Sequence, residues 1–183
     1  MYDEAGYWNA RENPNSPESK ELDVKYLKKH LVDANFALDF GPGVGRTFDA
    51  YEKQTAICGY DITSRYFELA RQRAEELGLC YVPIFVRKIE PIKFPKKFFD
   101  AAVCCEVLLH QRPENIEFIM KDLLRVSSKV IVVTYQNLDA EFDTEGSFNH
   151  CYNHDYRGIC ERNGWKMKHV KQTSNQLFFV YHD

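Results

Sequence analysis

No apolar run in the 183 residues approaches the roughly 20 needed to span a bilayer, so a membrane-spanning helix is excluded. There is no block or stripe of Lys and Arg either. With a net charge of −3, basic and acidic side chains are interspersed, which disfavours a phosphate-backbone binder; the reading is of a chain that engages neither nucleic acid nor membrane. The start, Met1-Tyr2-Asp3-Glu4, lacks the cationic stretch and apolar core of an export signal. The six cysteines include no C-x-x-C pair of the kind that holds structural zinc. Several of them, such as Cys104 and Cys105, sit inside apolar runs, where a thiol behaves as a small hydrophobe. Reduced thiols in a cytoplasmic protein are therefore expected, not a disulfide framework. Internal repeats, low-complexity segments and an H-E-x-x-H metal motif are also missing.

What is present is the composition of a soluble globular domain, 44% hydrophobic and 28% charged, long enough to bury a full core. Residues 1–18 are rich in turn formers and read as an arm or lid; residues 19–183 read as one domain. Ser16-Pro17-Glu18 has the form of a helix start, with a capping serine and proline at the first helical position. Val24, Leu27 and Leu31 follow at helical spacing. Short apolar strands are predicted at 36–40, 55–60, 81–86, 98–105 and 129–134. Between them lie helical patterns: one carrying Tyr66, Ala70, Ala74 and Leu77 and ended by Gly78, another carrying Ile116, Ile119, Met120, Leu123 and Leu124. A polar loop is expected over 136–150 and a short helix around 154–163. Strands at 165–170 and 177–181, with Thr173-Ser174-Asn175 between them, can pair as a hairpin. Together these predict an α/β fold: a doubly wound, mostly parallel seven-stranded sheet with a C-terminal antiparallel hairpin and helices on both faces.

The chemistry concentrates at Asp39-Phe40-Gly41-Pro42-Gly43-Val44-Gly45, where the first strand is expected to give way to a helix. Glycines allow a sharp turn and close approach of a ligand, and ligands bind at the carboxyl ends of such strands. Asp61 ends the second strand, 20 residues after Gly41. It can accept both hydroxyls of a ribose or cap the turn beginning near Thr63, and its distance from Gly41 favours the ribose. A dinucleotide turn would carry G-x-G-x-x-G, but here the third position of that pattern is Arg46. An acid two residues before the first glycine would repel a pyrophosphate and welcome an ammonium. The turn suits a nucleoside with a cationic amino-acid tail.

These residues resemble the class I S-adenosylmethionine-dependent methyltransferases, whose glycine motif (D/E)-x-G-x-G-x-G is matched from Asp39 to Gly45. Gly59-Tyr60-Asp61 resembles their ribose-binding acid, Phe98-Phe99-Asp100-Ala101-Ala102-Val103 their fourth strand, and Val107-Leu108-Leu109-His110 the stretch that follows it. The resemblance runs from about Phe36 to the C-terminus. It implies S-adenosyl-L-methionine as cofactor and S-adenosyl-L-homocysteine as product. Asp39, Gly41, Gly43 and Gly45 would then face the methionyl end, Asp61 the ribose and Ile62 one face of the adenine. Lys88 and Ile89 would line the adenine edge and Cys105 the space near the sulfonium. Lys88 stands where many members have an aspartate, and a lysine cannot accept the bond from the adenine amino group.

Methyl transfer from a sulfonium needs positioning and desolvation more than a catalytic triad. Three side chains are candidates on the acceptor side. His110 follows the fourth strand at its carboxyl end, His150 lies in the long loop, and either imidazole is suited to take a proton near neutral pH. Glu106 either contacts the substrate or pairs with an arginine. Tyr7 and Trp8 either close over the cofactor or anchor the arm. His150 and His154, with Asp155 and His110, are a weak alternative metal set, and no metal is expected. The N/D-P-P-Y/F signature of enzymes that methylate adenine or glutamine amino groups does not follow strand four. A small molecule is the leading acceptor class, for a monomer or homodimer; a peptide or protein side chain is the alternative. Two other readings compete. A nicotinamide oxidoreductase is opposed by the glycine spacing, Asp39 and the lack of Tyr-x-x-x-Lys; a non-catalytic methyltransferase-like module or partner subunit is opposed by the intact cofactor motif.

Overall fold

Alternating apolar strands and amphipathic helices build the chain. The computed structural model describes residues 4–10, 17–88, 90–134, 151–171 and 176–181. In order they form α1 (Glu4–Ala10), α2 (Pro17–Leu31), β1 (Phe36–Phe40), β2 (Ala56–Asp61), α3 (Phe67–Leu77), β3 (Cys80–Phe85), β4 (Ala101–Cys105), α4 (Pro113–Val126), β5 (Val130–Thr134), α5 (Tyr156–Arg162), β6 (Lys166–Lys171) and β7 (Gln176–Tyr181). Single turns of 3₁₀ helix occur at Phe48–Ala50, Ser64–Tyr66 and Leu108–His110. The strands make the predicted seven-stranded, mostly parallel sheet, in the order β3-β2-β1-β4-β5-β7-β6. The chain divides into two compact units, Met1–Glu90 and Pro91–Asp183.

In the first unit β1 and β3 flank β2, all parallel, with Asp39 opposite Gly59 and Asp61 opposite Phe85. After its exposed first residue β1 is buried throughout, and Leu27 and Leu31 of α2 are buried with it. Gly78 ends α3 in the left-handed conformation (φ 68°), its N–H bonded to the Ala74 and Glu75 carbonyls, which is how a residue without a Cβ closes a helix. Arg73 of α3 holds both carboxylate oxygens of Asp49 at 2.8 and 2.9 Å. The predicted arm contains the helix α1, and its Trp8 carbonyl accepts the Tyr66 hydroxyl at 3.0 Å.

One expectation is corrected here. The glycine turn does not open an α-helix: it leads to the 3₁₀ turn Phe48–Ala50, after which Tyr51 leaves in an extended conformation (φ −88°, ψ 143°). Tyr51, just past this turn, sends its hydroxyl back to Asp39 at 2.9 Å.

In the second unit β4 and β5 run parallel, β7 lies antiparallel to β5, and β6 pairs with β7 as the predicted hairpin. β4 and β5 are buried along their whole length, the mark of central strands covered on both faces. The fourth strand starts later than predicted, at Ala101, with Phe99 making an isolated parallel bridge to Ser127. In α4 the five apolar residues at helical spacing are all buried. Arg125 and Asp122 of that helix bind the backbone of Ile92 and Phe94 and fix the approach to β4.

Candidate cofactor and active site

Strand β1 delivers Asp39 to its buried carboxyl end, and the three glycines that follow hold φ values of 76° (Gly41), 56° (Gly43) and 76° (Gly45). Only glycine adopts these freely. The turn is fixed by Gly41 N–H donating to the Tyr60 carbonyl at 2.9 Å and Gly45 N–H to the Pro42 carbonyl at 3.0 Å. The glycines differ in what surrounds them. A Cβ on Gly45 would lie 2.7 Å from the Phe48 ring, whereas one on Gly43 would meet nothing within 4 Å. The Cβ position of Gly45 is filled by the Phe48 ring, whereas that of Gly43 borders open space among the described residues.

Asp61 faces that space from the end of β2, only 8% exposed. One of its oxygens accepts the Gly43 N–H at 3.1 Å and the other the Thr63 N–H at 2.8 Å. It therefore does cap the turn after β2, and a carboxylate with about four lone-pair sites keeps capacity for further donors. Burial pushes its carboxyl up, opposed by the bonds from Gly43 and Thr63.

Asp39 is 1% exposed. Burial pushes its carboxyl up to about 7; the Tyr51 hydroxyl and the Arg46 charge pull the other way, and Asp61 adds to the rise. Arg46 in turn approaches Asp23 of α2 at 3.6 Å, an aspartate with no exposed side-chain surface. From β3 comes Tyr81, whose buried hydroxyl has no hydrogen-bond partner among the described residues. The carboxylates of Asp39 and Asp61 and the Cys58 thiol all oppose its ionisation, after burial itself. Gly59 makes room for this ring, since a Cβ there would stand 2.5 Å from it. Tyr51, Arg46, Asp23 and Tyr81 belong to the cradle and are missed by motif reading. Of the remaining residues expected to line it, Ile62 is half-buried, Lys88 is exposed, and Ile89 lies outside the described residues.

In the second unit Cys105 is the buried last residue of β4. Glu106 follows with φ 57°, a left-handed conformation costing a non-glycine residue on the order of 1–2 kcal/mol. Its N–H is held by the Val133 carbonyl at 2.8 Å. Backbone strain of this sort concentrates at functional positions. His110, half-buried, closes the next turn with its Nδ1 3.6 Å from Cys151 Sγ. His154 is buried; its Nε2 pairs with the Leu108 carbonyl at 2.9 Å, and burial holds its imidazole below the usual histidine range. The ring is thus neutral and donates an N–H there. Asp155 caps α5 through the Gly158 N–H at 2.7 Å. The weighed metal set is not assembled: among the described residues no group of three or more His, Cys, Asp or Glu is placed to hold an ion, and His150 lies outside them.

Residues 37–129, half of the chain, match the family model described as a methyltransferase domain. The chain belongs to that family. Its cofactor is S-adenosyl-L-methionine, which leaves as S-adenosyl-L-homocysteine. Solved structures share the methyltransferase's fold at low identity. Magnesium protoporphyrin IX methyltransferase from Synechocystis PCC 6803, with bound S-adenosylmethionine, is 16% identical with a TM-score of 0.68, over 98% of this chain and 95% of that one. The PH0226 protein from Pyrococcus horikoshii OT3 is 17% identical with a TM-score of 0.70, over 93% of each chain. The [4+2]-cyclase SpnF is 15% identical with a TM-score of 0.69, over 90% of this chain and 66% of that one. No curated protein matches in sequence. The cradle fits the cofactor in kind: open space beside Gly43, a hydrogen-bonded acid at Asp61 for hydroxyl donors, and a buried acid at Asp39 for a cation.

Proposed function

We propose that the chain transfers the methyl group of S-adenosylmethionine to a small-molecule acceptor. The observation that carries the cofactor's placement is Asp61 bonded to the Gly43 N–H at 3.1 Å. That bond ties the glycine turn to the acid at the end of β2 and preorganises both for a nucleoside. In this reading Asp39, Gly41, Gly43 and Gly45 take the methionyl end, Asp61 the ribose, and Ile62 with Lys88 and Ile89 the adenine. Cys105 lies by the sulfonium. When bound, the cofactor supplies an electrophilic methyl group on a good leaving group. The protein's own part is to orient the acceptor, exclude water and take up a proton.

His110 is the proposed proton acceptor, with Glu106 and His150 on the acceptor side. Two features support His110: its place in the turn after β4, and its neighbour Cys151, a thiol that can set the orientation of the imidazole. The small-molecule class is supported by the similar Synechocystis protein, which acts on magnesium protoporphyrin IX. Residues 1–18 then act as an arm over a single domain, 19–183, working as a monomer or homodimer without nucleic acid. The test is calorimetric titration with S-adenosylhomocysteine, with Asp61→Ala as control and NAD as comparison. Binding near micromolar, weakened at least about tenfold by the mutation, is expected, since hydrogen bonds to a charged acceptor are lost. Absence of binding, or binding of NAD in its place, would overturn the reading.

A further inference from the structure

The buried charges behind the glycine turn carry more than the motif requires. Asp39 takes the Tyr51 hydroxyl on Oδ2 at 2.9 Å, which leaves Oδ1 for a ligand. Arg46 is held by fully buried Asp23 on α2 at 3.6 Å. The groups that face Asp39 are Tyr51 and Arg46, which favour its ionised form, and Asp61, which opposes it. Tyr81 faces it too, from β3.

We propose that Tyr51 and Arg46 are positioning residues for the cofactor's amino-acid end: they set the charge and free oxygen of Asp39, so that affinity for amino-acid-bearing nucleosides depends on pH while affinity for the nucleoside part does not. This rests on the cofactor placement proposed above. An ionised carboxylate attracts the ligand's ammonium and accepts its hydrogen bond; a protonated one loses the attraction and most of the bond's strength. Without the Tyr51 hydroxyl, or without the Arg46 charge, Asp39 keeps its proton to higher pH and the cradle meets the ammonium uncharged.

The experiment titrates two ligands into the full chain from about pH 5.5 to about 8, spanning the value of about 7 for Asp39. S-adenosylhomocysteine carries the amino-acid end; 5′-methylthioadenosine has the nucleoside and sulfur without it. In the wild type, affinity for S-adenosylhomocysteine should climb as pH rises through neutrality, and affinity for methylthioadenosine should stay flat. Tyr51→Phe should move the climb to higher pH and weaken S-adenosylhomocysteine about tenfold at neutral pH, the scale of a lost charged hydrogen bond. Methylthioadenosine should be unchanged. Arg46→Met removes the ion pair to buried Asp23 and is combined with Asp23→Asn to keep the fold; the double variant should shift the climb in the same direction, whereas Arg46→Lys should leave it in place. Wild-type and Tyr51→Phe curves with the same midpoint, or methylthioadenosine losing as much affinity as S-adenosylhomocysteine, would overturn this inference alone. A wild type that binds neither ligand would overturn the cofactor placement itself.

Discussion

Asp39 keeps a proton up to about pH 7 that an unfolded aspartate releases near pH 4. The folded value lies above the unfolded one, so between these limits the native state binds more protons, and this group's contribution to stability falls as pH rises. The rise from 3.8 to about 7 corresponds to roughly 4 kcal/mol at and above neutral pH. Asp39→Asn is therefore expected to stabilise the cofactor-free protein at pH 7.5 to 8 by a few kcal/mol while weakening S-adenosylhomocysteine binding at least about tenfold. Urea denaturation of both proteins across pH checks it; equal stability at every pH would remove the burial argument. The glycines give a second contrast. Gly45→Ala meets the Phe48 ring at 2.7 Å and Gly43→Ala meets nothing, although both force a positive φ. Gly45→Ala should destabilise by about 2–3 kcal/mol. Gly43→Ala should cost about 1 kcal/mol of stability and act mainly on ligand binding, because its methyl enters the open side of the cradle. Thermal unfolding beside titration separates the two. The acid, the glycines and Asp61 were legible in the sequence because their spacing is local and fixed by one turn. Tyr51, Arg46 and Asp23 were not, because what joins them to Asp39 is tertiary: a side chain reaching back 12 residues and a helix residue buried from outside the motif.

At the scale of elements, period and punctuation carried most of the prediction. Gly78 closed α3 and the apolar spacing of α4 gave its buried face, since both depend on residues within a few positions. The missing helix after the glycine turn shows where such reading stops: Arg46 to Gln54 contains helix-compatible residues, but propensity is a weak prior that tertiary context overrides. The segment after Cys151 is set the same way. His154 docks it to the Leu108–His110 turn through the Leu108 carbonyl, with the Tyr152 N–H on the Leu109 carbonyl at 2.7 Å. Burial lowers the His154 value, so as pH falls below about 6.5 the unfolded chain takes a proton the folded one refuses, and stability drops. His154→Gln should remove that acid-side loss, leaving a shallower stability curve between about pH 5 and 7 than the wild type shows. Denaturation midpoints compared over that range decide it; parallel curves would mean His154 titrates normally.

Over the whole molecule, the same sheet serves a magnesium protoporphyrin IX methyltransferase and a [4+2]-cyclase, so architecture does not choose the reaction. Asp23, Asp39 and Asp61 are buried, with the Arg46 charge acting on Asp39; burial opposes the ionised form of Asp39, and in the proposed placement a cationic ligand would offset that cost. Ligand binding should therefore be visible as a large rise in melting temperature. At a ligand concentration of about 100 Kd the gain is about 2.7 kcal/mol. In a chain of 183 residues that amounts to roughly 5–10 °C. S-adenosylhomocysteine should produce this shift in the wild type, NAD should produce none, and Asp61→Ala, binding about tenfold more weakly, should lose about half of it or more at the same concentration. Asp39→Asn should start from a higher melting temperature and gain about half the shift or less at the same concentration. A higher start with a smaller gain follows only if the buried acid is kept for the ligand; a variant that starts higher and still gains the full shift would show that Asp39 takes no part in binding.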